Sequence, residues 1–193
     1  MRKYIYLFLI LCCLSPHLYC GNVTGNCTSY SQEGRDVTFH LDDNSAVQLQ
    51  LCSPSVVRVW FSPDGKLQRG NPSFAVINEE LEDVGTVRVD EQNACYEIFT
   101  PKLRIRVNKA PFSLQIFDKY QKLLFSDYAD KGHISDGERK VEYKTLRRDE
   151  HFFGLGEKTG KLDRRGESYK MWNSDKPCYS VGKIPCTKVF LSL

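Results

Sequence analysis

The sequence predicts an all-β fold built as an antiparallel β-sandwich. Short runs rich in Val, Ile, Phe and Tyr alternate with polar residues at a period of two, as strands with one buried face do. Gly, Pro, Asn and Asp residues separate these runs and supply the backbone angles that turns need. No window carries a sustained helical pattern with caps at both ends. Many short strands of this kind favour a sandwich over a parallel α/β sheet.

Seven runs are predicted as strands. In chain order they are Val37 to Leu41, Ala46 to Cys52, Val56 to Ser62, Thr86 to Asp90, Cys95 to Thr100, Leu103 to Asn108 and Phe112 to Asp118. The clearest alternation is in Leu103 to Asn108, where Arg104 and Arg106 separate apolar residues. One face of that strand should be core and the other should face water.

The first twenty residues, 1–20, have the layout of a secretory signal peptide. Arg2 and Lys3 precede the apolar run Tyr4 to Leu14, and polar residues follow from Ser15. A membrane-spanning helix needs about 20 apolar residues, and this run is roughly half as long. The layout therefore predicts export to the periplasm or the extracellular space without a permanent membrane span. A lipid anchor at Cys20 is a weaker alternative.

Cysteine usage and charge exclude several classes of protein. After the leader five cysteines remain, an odd number without a C-x-x-C pair, which favours buried free thiols with at most one bridge and predicts no metal site. They are Cys27, Cys52, Cys95, Cys178 and Cys186. The net charge is +3, but four positive charges lie in the leader or after residue 182, so residues 21–182 carry −1. No basic field is left for a nucleic acid.

Most charged and glycine-rich patterns have a structural interpretation. Gly154 to Gly160 is not a phosphate loop, because Glu157 stands where Gly must precede Lys, and no cofactor is expected. Four acids lie in polar, turn-like segments and are interpreted as solvated loop residues rather than as a catalytic pair. They are Asp127, Asp130, Asp136 and Glu138. A sugar epimerase would need a His acid with a Glu base, and no spacing pairs His133 or His151 with one.

The segment Met171 to Pro177 combines an aromatic ring, an amide and a carboxylate in one turn. Trp172, Asn173 and Asp175 are the side-chain types that bind sugars, through ring stacking and hydrogen bonds to hydroxyls. On spacing alone, a surface loop with its Trp packed in the core is the favoured alternative.

Three motifs near the end of the chain carry a resemblance to a known family. They are Phe153-Gly154-Leu155-Gly156-Glu157, Leu162-x-x-Arg165-Gly166 and Trp172-Asn173-x-Asp175. In this order and spacing they resemble the N-terminal domain of glycoside hydrolase family 31, the α-glucosidases and α-xylosidases. The strand pair Cys95 to Phe99 and Leu103 to Val107 is similar to the family's T-x-x-L-x-I-x-I element. The resemblance thus covers most of the chain after the leader.

The resemblance implies a galactose-mutarotase-like β-sandwich over residues 21–182, at the rim of a pocket that a catalytic barrel domain completes. Asp175 would bind hydroxyls of an α-linked oligosaccharide or glycoside, and Trp172 and Asn173 would shape the loop. The family's Asp nucleophile and Asp acid/base have no counterpart in this chain, so the retaining reaction cannot be run by these residues alone. The alternative is a stand-alone carbohydrate-binding sandwich.

Residues 183–193 depart from the family pattern in a way that a frameshift explains. A back-translation of Lys183 to Leu193, shifted by one base, reads Glu-Asp-Pro-Leu-Tyr-Lys-Ser-Ile-Pro-Phe-Phe, which is similar to the family's continuation. We therefore expect a frameshift near Val181 to Gly182, with an out-of-frame tail after it and a sandwich that lacks its last strands.

Reading the coding DNA in all three frames, from codon 170 to several hundred bases past the stop, tests this expectation. An adjacent frame should continue into a barrel that contains a Trp-x-Asp-Met-like nucleophile motif. If no frame does so, the tail belongs to the protein and the stand-alone sugar-binding interpretation is favoured.

Overall fold

The computed structural model describes residues 22–67, 82–129, 131–136, 139–155 and 160–169. These residues form strands joined by turns, and no helix occurs among them. The strands are β1 (Asn22–Val23), β2 (Cys27–Glu33), β3 (Asp36–Leu41), β4 (Ala46–Ser53), β5 (Val56–Ser62), β6 (Val89–Glu91), β7 (Cys95–Phe99), β8 (Leu103–Asn108), β9 (Ser113–Asp118), β10 (Leu123–Ser126), β11 (His133–Asp136) and β12 (Arg139–Glu142).

Three antiparallel sheets organise these strands. A four-stranded sheet has the order β2-β3-β4-β5, and a five-stranded sheet has the order β10-β9-β8-β7-β6. One core cluster draws side chains from both of these sheets, so the two pack face to face as the predicted sandwich. A small third sheet, β1-β11-β12, adds the strands that lead toward the motifs at the end of the chain.

The core follows from the alternation in the sequence. Along β4 the apolar residues Val47, Leu49 and Leu51 are fully buried, while the residues between them are only half-buried. The same pattern along β8 buries Leu103, Ile105 and Val107 and turns the two arginines outward, as predicted. Each such burial removes apolar surface from water, which is the main stabilising contribution to folding.

Four aromatic rings join the two sheets at the centre of the core. Phe39 on β3 is fully buried, with its ring centroid 5.4 Å from that of Tyr96 on β7 and 6.4 Å from those of Tyr30 and Phe112. Tyr30 also meets Tyr96 edge to face at 5.1 Å. These separations lie in the range at which tilted aromatic pairs attract one another.

All seven predicted strands are present, and Val56–Ser62 and Leu103–Asn108 have the predicted bounds. The fourth is displaced, since Thr86 lies outside a strand and β6 begins at Val89. Sequence reasoning missed β1, β2, β10, β11 and β12. Strand β2 is polar and only Cys27 along it is buried, because it lies at the edge of its sheet with little surface to place in the core.

The cysteines of the described residues are free thiols, in agreement with the sequence. Cys27 and Cys95 are buried and Cys52 is half-buried. Burial raises the pKa of Cys27 to about 11. Cys178 and Cys186 lie outside the described residues. Within the described ranges no helix is long and apolar enough to cross a membrane, and the predicted leader lies outside those ranges.

Replacing Phe39 by Ala should destabilise the protein by about 3–5 kcal/mol, because the loss of a fully buried ring leaves a cavity between the two sheets. Phe99→Ala is the matched control, since Phe99 is 41% exposed at the end of β7 and its loss should cost at most about 1 kcal/mol. Urea denaturation of residues 21–193 measures both. Equal losses of stability would contradict the assignment of Phe39 to the centre of the core.

Candidate functional site

The structure describes the chain up to the predicted sugar-contact loop but not the loop itself. Trp172, Asn173 and Asp175 lie outside the described residues, as do Gly156 and Glu157 of the first motif. The described part, residues 143–155 and 160–169, is named the motif segment. The contacts of this segment are described first.

Arg165 holds the motif segment together. Its Nη1 donates to the backbone carbonyls of Arg147, at 2.9 Å, and of Glu150, and its backbone N–H donates to Asp163 Oδ1 at 3.0 Å. A single guanidinium thus joins two parts of the segment that are more than ten residues apart in sequence. Arg suits this role because its planar group offers several donors in a fixed geometry. This assigns a role to the Arg of the Leu-x-x-Arg-Gly motif.

Arg147 connects the motif segment to the sandwich. Its Nη1 donates to the carbonyl of Leu123 on β10 at 3.2 Å, and its backbone N–H donates to Glu150 Oε2 at 3.1 Å. Since Arg165 binds the carbonyl of Arg147, the two arginines link the motif segment to an edge strand of the five-stranded sheet.

His151 pairs with Asp163 on the surface of the motif segment. His151 Nδ1 lies 2.6 Å from Asp163 Oδ2, and about half of the histidine side chain is exposed. The backbone N–H of Arg165 and the imidazole both hold the pKa of Asp163 below its ordinary value. His151 lies in a loop. Its partner is an aspartate that fixes the turn, which agrees with a structural role.

The glycines of the motifs serve backbone geometry. Gly154 has φ 91°, a conformation that residues with a Cβ rarely adopt, and Leu155 follows it at φ 67°. At Gly160 a Cβ would lie 2.8 Å from Nη1 of Arg164, so any side chain there would displace that guanidinium. The turns expose two large apolar side chains, Phe153 at 60% and Leu162 at 81%.

An ionic tetrad of Asp127, His133, Glu142 and Lys144 lies where the chain enters the motif segment. Lys144 Nζ is 2.6 Å from Asp127 Oδ1 and 3.3 Å from Glu142 Oε2. The buried His133 ring lies between the two acids, with Nε2 3.5 Å from Asp127 and Nδ1 3.4 Å from Glu142. These are ion-pair contacts, since neither ring nitrogen meets hydrogen-bond geometry in the described residues.

The tetrad sets the protonation of its members. Burial alone would lower the pKa of His133, but the two neighbouring acids outweigh it and the pKa is raised. Burial likewise raises the pKa of Asp127, and His133 and Lys144 more than offset this, so it lies below its ordinary value. His133 and Lys144 lower the pKa of Glu142 to about 2. With the imidazole protonated, the tetrad has two positive and two negative charges and is neutral.

The interpretation of Asp127 as a solvated loop residue is therefore wrong. Asp127 is 4% exposed because it follows the apolar strand β10, and its Oδ2 accepts the backbone N–H of Leu114 at 2.8 Å. Asp136 ends strand β11 instead of lying in a loop, while Asp130 and Glu138 fall outside the described residues. His133 does meet Glu142, yet it is 2% exposed and out of reach of a sugar. The epimerase alternative thus gains no site from this pair.

Sequence reasoning missed the tetrad and the Arg165 contacts. Asp127 directly after the largely apolar strand Leu123–Ser126 was the available signal, because an acid that becomes buried at a strand end needs a cation. The described residues contain no cluster of three or more His, Cys, Asp and Glu side chains arranged to bind a metal ion.

Comparisons with known proteins agree with this architecture. The profile of the glycosyl hydrolase 31 N-terminal galactose mutarotase-like domain matches residues 46–185. Among characterised proteins, alpha-glucosidase 2 of Bacillus thermoamyloliquefaciens is 31% identical over 152 residues, which are 78% of this chain and 19% of that protein.

Solved structures give the same result. A family 31 dextranase of Flavobacterium johnsoniae, determined with glucose and as a mutant with isomaltotriose, is 60% identical with a TM-score of 0.77, covering 85% of this chain and 20% of its own. The cycloalternan-forming enzyme of Listeria monocytogenes, in complex with a pentasaccharide substrate, is 20% identical with a TM-score of 0.62, covering 77% of this chain and 14% of its own. At that identity the likeness shows the fold alone. The chain spans about a fifth of the length of the first two relatives.

Because of the tetrad, the stability of the protein should fall both at acidic and at alkaline pH. The ordinary pKa of a Glu is 4.5, and that of Glu142 in the folded protein is about 2. As the pH falls from 4.5 toward 2, the stabilisation from ionised Glu142 is lost, and protonation of Asp127 acts in the same direction. As the pH rises above 6.5 and through the raised pKa of His133, the stability from its protonated form is lost. Melting temperatures followed by circular dichroism across this range should therefore peak between the two limits.

His133→Gln should remove most of the loss on the alkaline side. His151→Gln is the control on the alkaline side, because that side chain is half-exposed and lies outside the tetrad, and it should keep the wild-type loss there. Parallel pH profiles for wild type and His133→Gln would contradict the role assigned to the tetrad.

Proposed function

Because the chain belongs to the glycosyl hydrolase 31 N-terminal galactose mutarotase-like domain family, we propose that it forms the substrate-rim domain of an exported α-glycosidase. In this role it binds a catalytic barrel domain on one side and contributes Asp175 to the sugar pocket. The leader-like layout of residues 1–20 supports export.

The observation that carries the proposal is the exposure of two large apolar side chains on the motif segment. Phe153 and Leu162 are 60% and 81% exposed, although the same segment is tied to the sandwich through Arg147 and Arg165. Apolar side chains that are held in water are unfavourable unless another surface covers them. Exposed apolar side chains on a segment that is held in place would be covered when another protein surface packs on them, and the barrel domain is the partner that we assign to them.

The Arg165 contacts also support the placing of Asp175. Trp172 and Asp175 follow Arg165 by seven and ten residues. By fixing Arg165 against the carbonyls of Arg147 and Glu150, the chain sets the point from which the loop starts. A carboxylate delivered from a fixed start can accept hydrogen bonds from sugar hydroxyls with little loss of entropy, which is the requirement for a substrate-contact residue.

The chain alone should be inactive. Retaining glycoside hydrolysis needs a nucleophile and an acid/base, two carboxyl groups about 5 to 5.5 Å apart with different pKa values. Asp127 and Glu142 are both held ionised by the tetrad and neither acts as an acid near neutral pH. Glu97 is bound by Arg104 and Arg106 at 2.8 and 2.7 Å and its pKa is likewise lowered. Both catalytic carboxylates are assigned to the barrel.

The substrate class that we favour is an α-linked glucan of the dextran type. Among the family 31 enzymes, the flavobacterial dextranase is 60% identical to this chain, whereas the α-xylosidase of Xanthomonas citri is 20% identical. The 60% identity to the dextranase over 85% of this chain supports glucose at the cleaved linkage.

A chimera tests the proposal. Residues 21–182 of this chain replace the corresponding domain of the Flavobacterium johnsoniae dextranase, and dextran hydrolysis is followed by the release of reducing sugar. The chimera should hydrolyse dextran, and Asp175→Asn should lower kcat/KM by about tenfold or more, since it removes a charged hydrogen-bond acceptor from the substrate. Asp149→Asn, an exposed position in the motif segment, is the matched control and should be neutral.

Residues 21–193 without the barrel should release no product from dextran or aryl α-glucosides. Turnover by this fragment, abolished by one internal carboxylate substitution, would overturn the assignment of catalysis to the barrel. A folded chimera whose activity is indifferent to Asp175→Asn would overturn the substrate-rim role.

A further inference from the structure

The third sheet, β1-β11-β12, here named the small sheet, is attached to the sandwich mainly by polar contacts. Within the described part of the chain, the apolar core cluster contains side chains of the four-stranded and five-stranded sheets and none from β11 or β12. Ile134 and Ser135 on β11 are half-buried, and Lys140 and Glu142 on β12 are exposed. Strand β1 pairs with β11 at two positions only. A small sheet without a share in the core has little stability of its own.

His133 is the buried side chain that connects the small sheet to the sandwich. It is 2% exposed, and its ring centroid lies 5.2 Å from that of Phe61 on β5 and 6.3 Å from that of Phe112 just before β9. Its backbone carbonyl accepts the backbone N–H of Thr24 at 3.1 Å and the hydroxyl of Thr24 at 2.6 Å. Since Thr24 directly follows β1, one residue joins the two main sheets to two strands of the small sheet.

The contacts of the His133 ring depend on its proton. The titratable groups that face the ring are Asp127 after β10, Glu142 on β12 and Lys144 after β12, and the two aromatic rings beside it carry no charge. The protonated imidazole attracts both acids. The neutral imidazole is a buried polar group without good hydrogen-bond geometry in the described residues, and such a group is costly to keep from water.

Loss of this proton leaves the sandwich itself paired. Asp127 keeps the ammonium of Lys144 at 2.6 Å and the backbone N–H of Leu114 at 2.8 Å, so its buried charge remains compensated. Glu142 is about half exposed and can be hydrated when the ring no longer attracts it. The small sheet can therefore separate from the sandwich without leaving an unpaired buried charge behind.

We propose that the proton on His133 controls a local opening of the domain, in which the small sheet leaves the sandwich while the two main sheets stay folded. The open form is a minor population near neutral pH, and it grows as the pH rises. The opening is a property of the domain itself and does not rest on the proposed function.

The pH dependence of the opening has a defined sign and slope. Burial lowers the pKa of His133, but the two acids outweigh burial and raise it in the closed form, whereas an exposed imidazole has a pKa of about 6.5. Opening above this value therefore releases one proton, until the pH reaches the pKa of the closed form. Over that range the opening equilibrium constant should rise about tenfold per pH unit.

Native-state hydrogen exchange of residues 21–193 in low urea, from about pH 6 to about pH 9, tests the proposal. Rates are corrected for the intrinsic pH dependence of amide exchange. Amides of β11 and β12 should exchange through an opening with a small urea dependence, because this dependence scales with the surface that is exposed. Their opening constant should increase with pH by the factor derived above. Amides of β4 and β8 should exchange through global unfolding, with a larger free energy and a larger urea dependence.

Two variants and a control assign the pH dependence to His133. His133→Gln removes the titrating group, so the opening constant of its small sheet should not change over this pH range. Glu142→Gln removes one of the two acids and keeps the ring, so its opening constant should stop rising at a lower pH than in wild type. His40→Gln is the matched control, since His40 is exposed on β3, and it should keep the wild-type slope. Circular dichroism shows whether each variant is folded.

The outcomes separate a local opening from global unfolding, which melting temperatures do not, because the tetrad also contributes to global stability. A small urea dependence in β11 and β12, together with a wild-type slope that is absent in His133→Gln, supports the proposal. Equal opening free energies and urea dependences for the small sheet and for β4 and β8 overturn it. An opening that is independent of pH, or that keeps its slope in His133→Gln, also overturns it. None of these outcomes affects the test of the chimera.

Discussion

The buried carboxylate of Asp127 is the constraint on which the packing of β9, β11 and the start of the motif segment depends. One of its oxygens accepts the backbone N–H of Leu114 on β9, the other binds the ammonium of Lys144, and the ring of His133 on β11 lies beside it. Three separate parts of the chain therefore meet at one charge. Since an unpaired buried carboxylate would cost several kcal/mol, they must come together for the fold to be stable. A Cβ on Gly132 would lie 3.0 Å from the Asp127 side chain, so even the neighbouring turn is shaped by this group.

From the tetrad the chain passes into the motif segment, and arginine contacts with backbone carbonyls replace ion pairs. Arg165 and Arg147 together tie the segment to β10, and they leave Phe153 and Leu162 in water. The segment is thus fixed to the sandwich by hydrogen bonds and exposes apolar side chains. A segment held in this way supports the proposed packing of a partner domain on its apolar side chains, and it gives the Leu-x-x-Arg-Gly motif a physical reason for its arginine.

The sandwich could be predicted because its central strands bury one face and expose the other, as Val47 to Leu51 and Leu103 to Val107 do. Strands that lack this contrast between a buried and an exposed face could not be predicted from the sequence. Strand β2 is polar apart from Cys27 and Tyr30. Strands β11 and β12 are held by pairing with one another and by His133, which depends on partners distant in sequence. The tetrad could not be predicted for the same reason, namely that its contacts join residues distant in sequence. Asp127 and His133 have the sequence surroundings of loop residues, and only the folded chain brings β9 and Lys144 next to them. The Arg165 contacts could not be predicted either. Their acceptors are backbone carbonyls, which every residue has, so no residue type in the sequence marks them.

The buried thiols bear on the proposed export of the chain to an oxidising compartment. Disulfide exchange proceeds through the thiolate, and a thiol whose pKa is about 11 is almost wholly protonated at neutral pH. Cys27 at 8% exposure, and Cys95 at 7%, are also closed to attack by outside sulfhydryls. The folded domain is thus redox-silent at these two positions, whereas an unfolded chain would expose them to oxidants. Under the proposed export, rapid folding after translocation would protect these two thiols from incorrect disulfides.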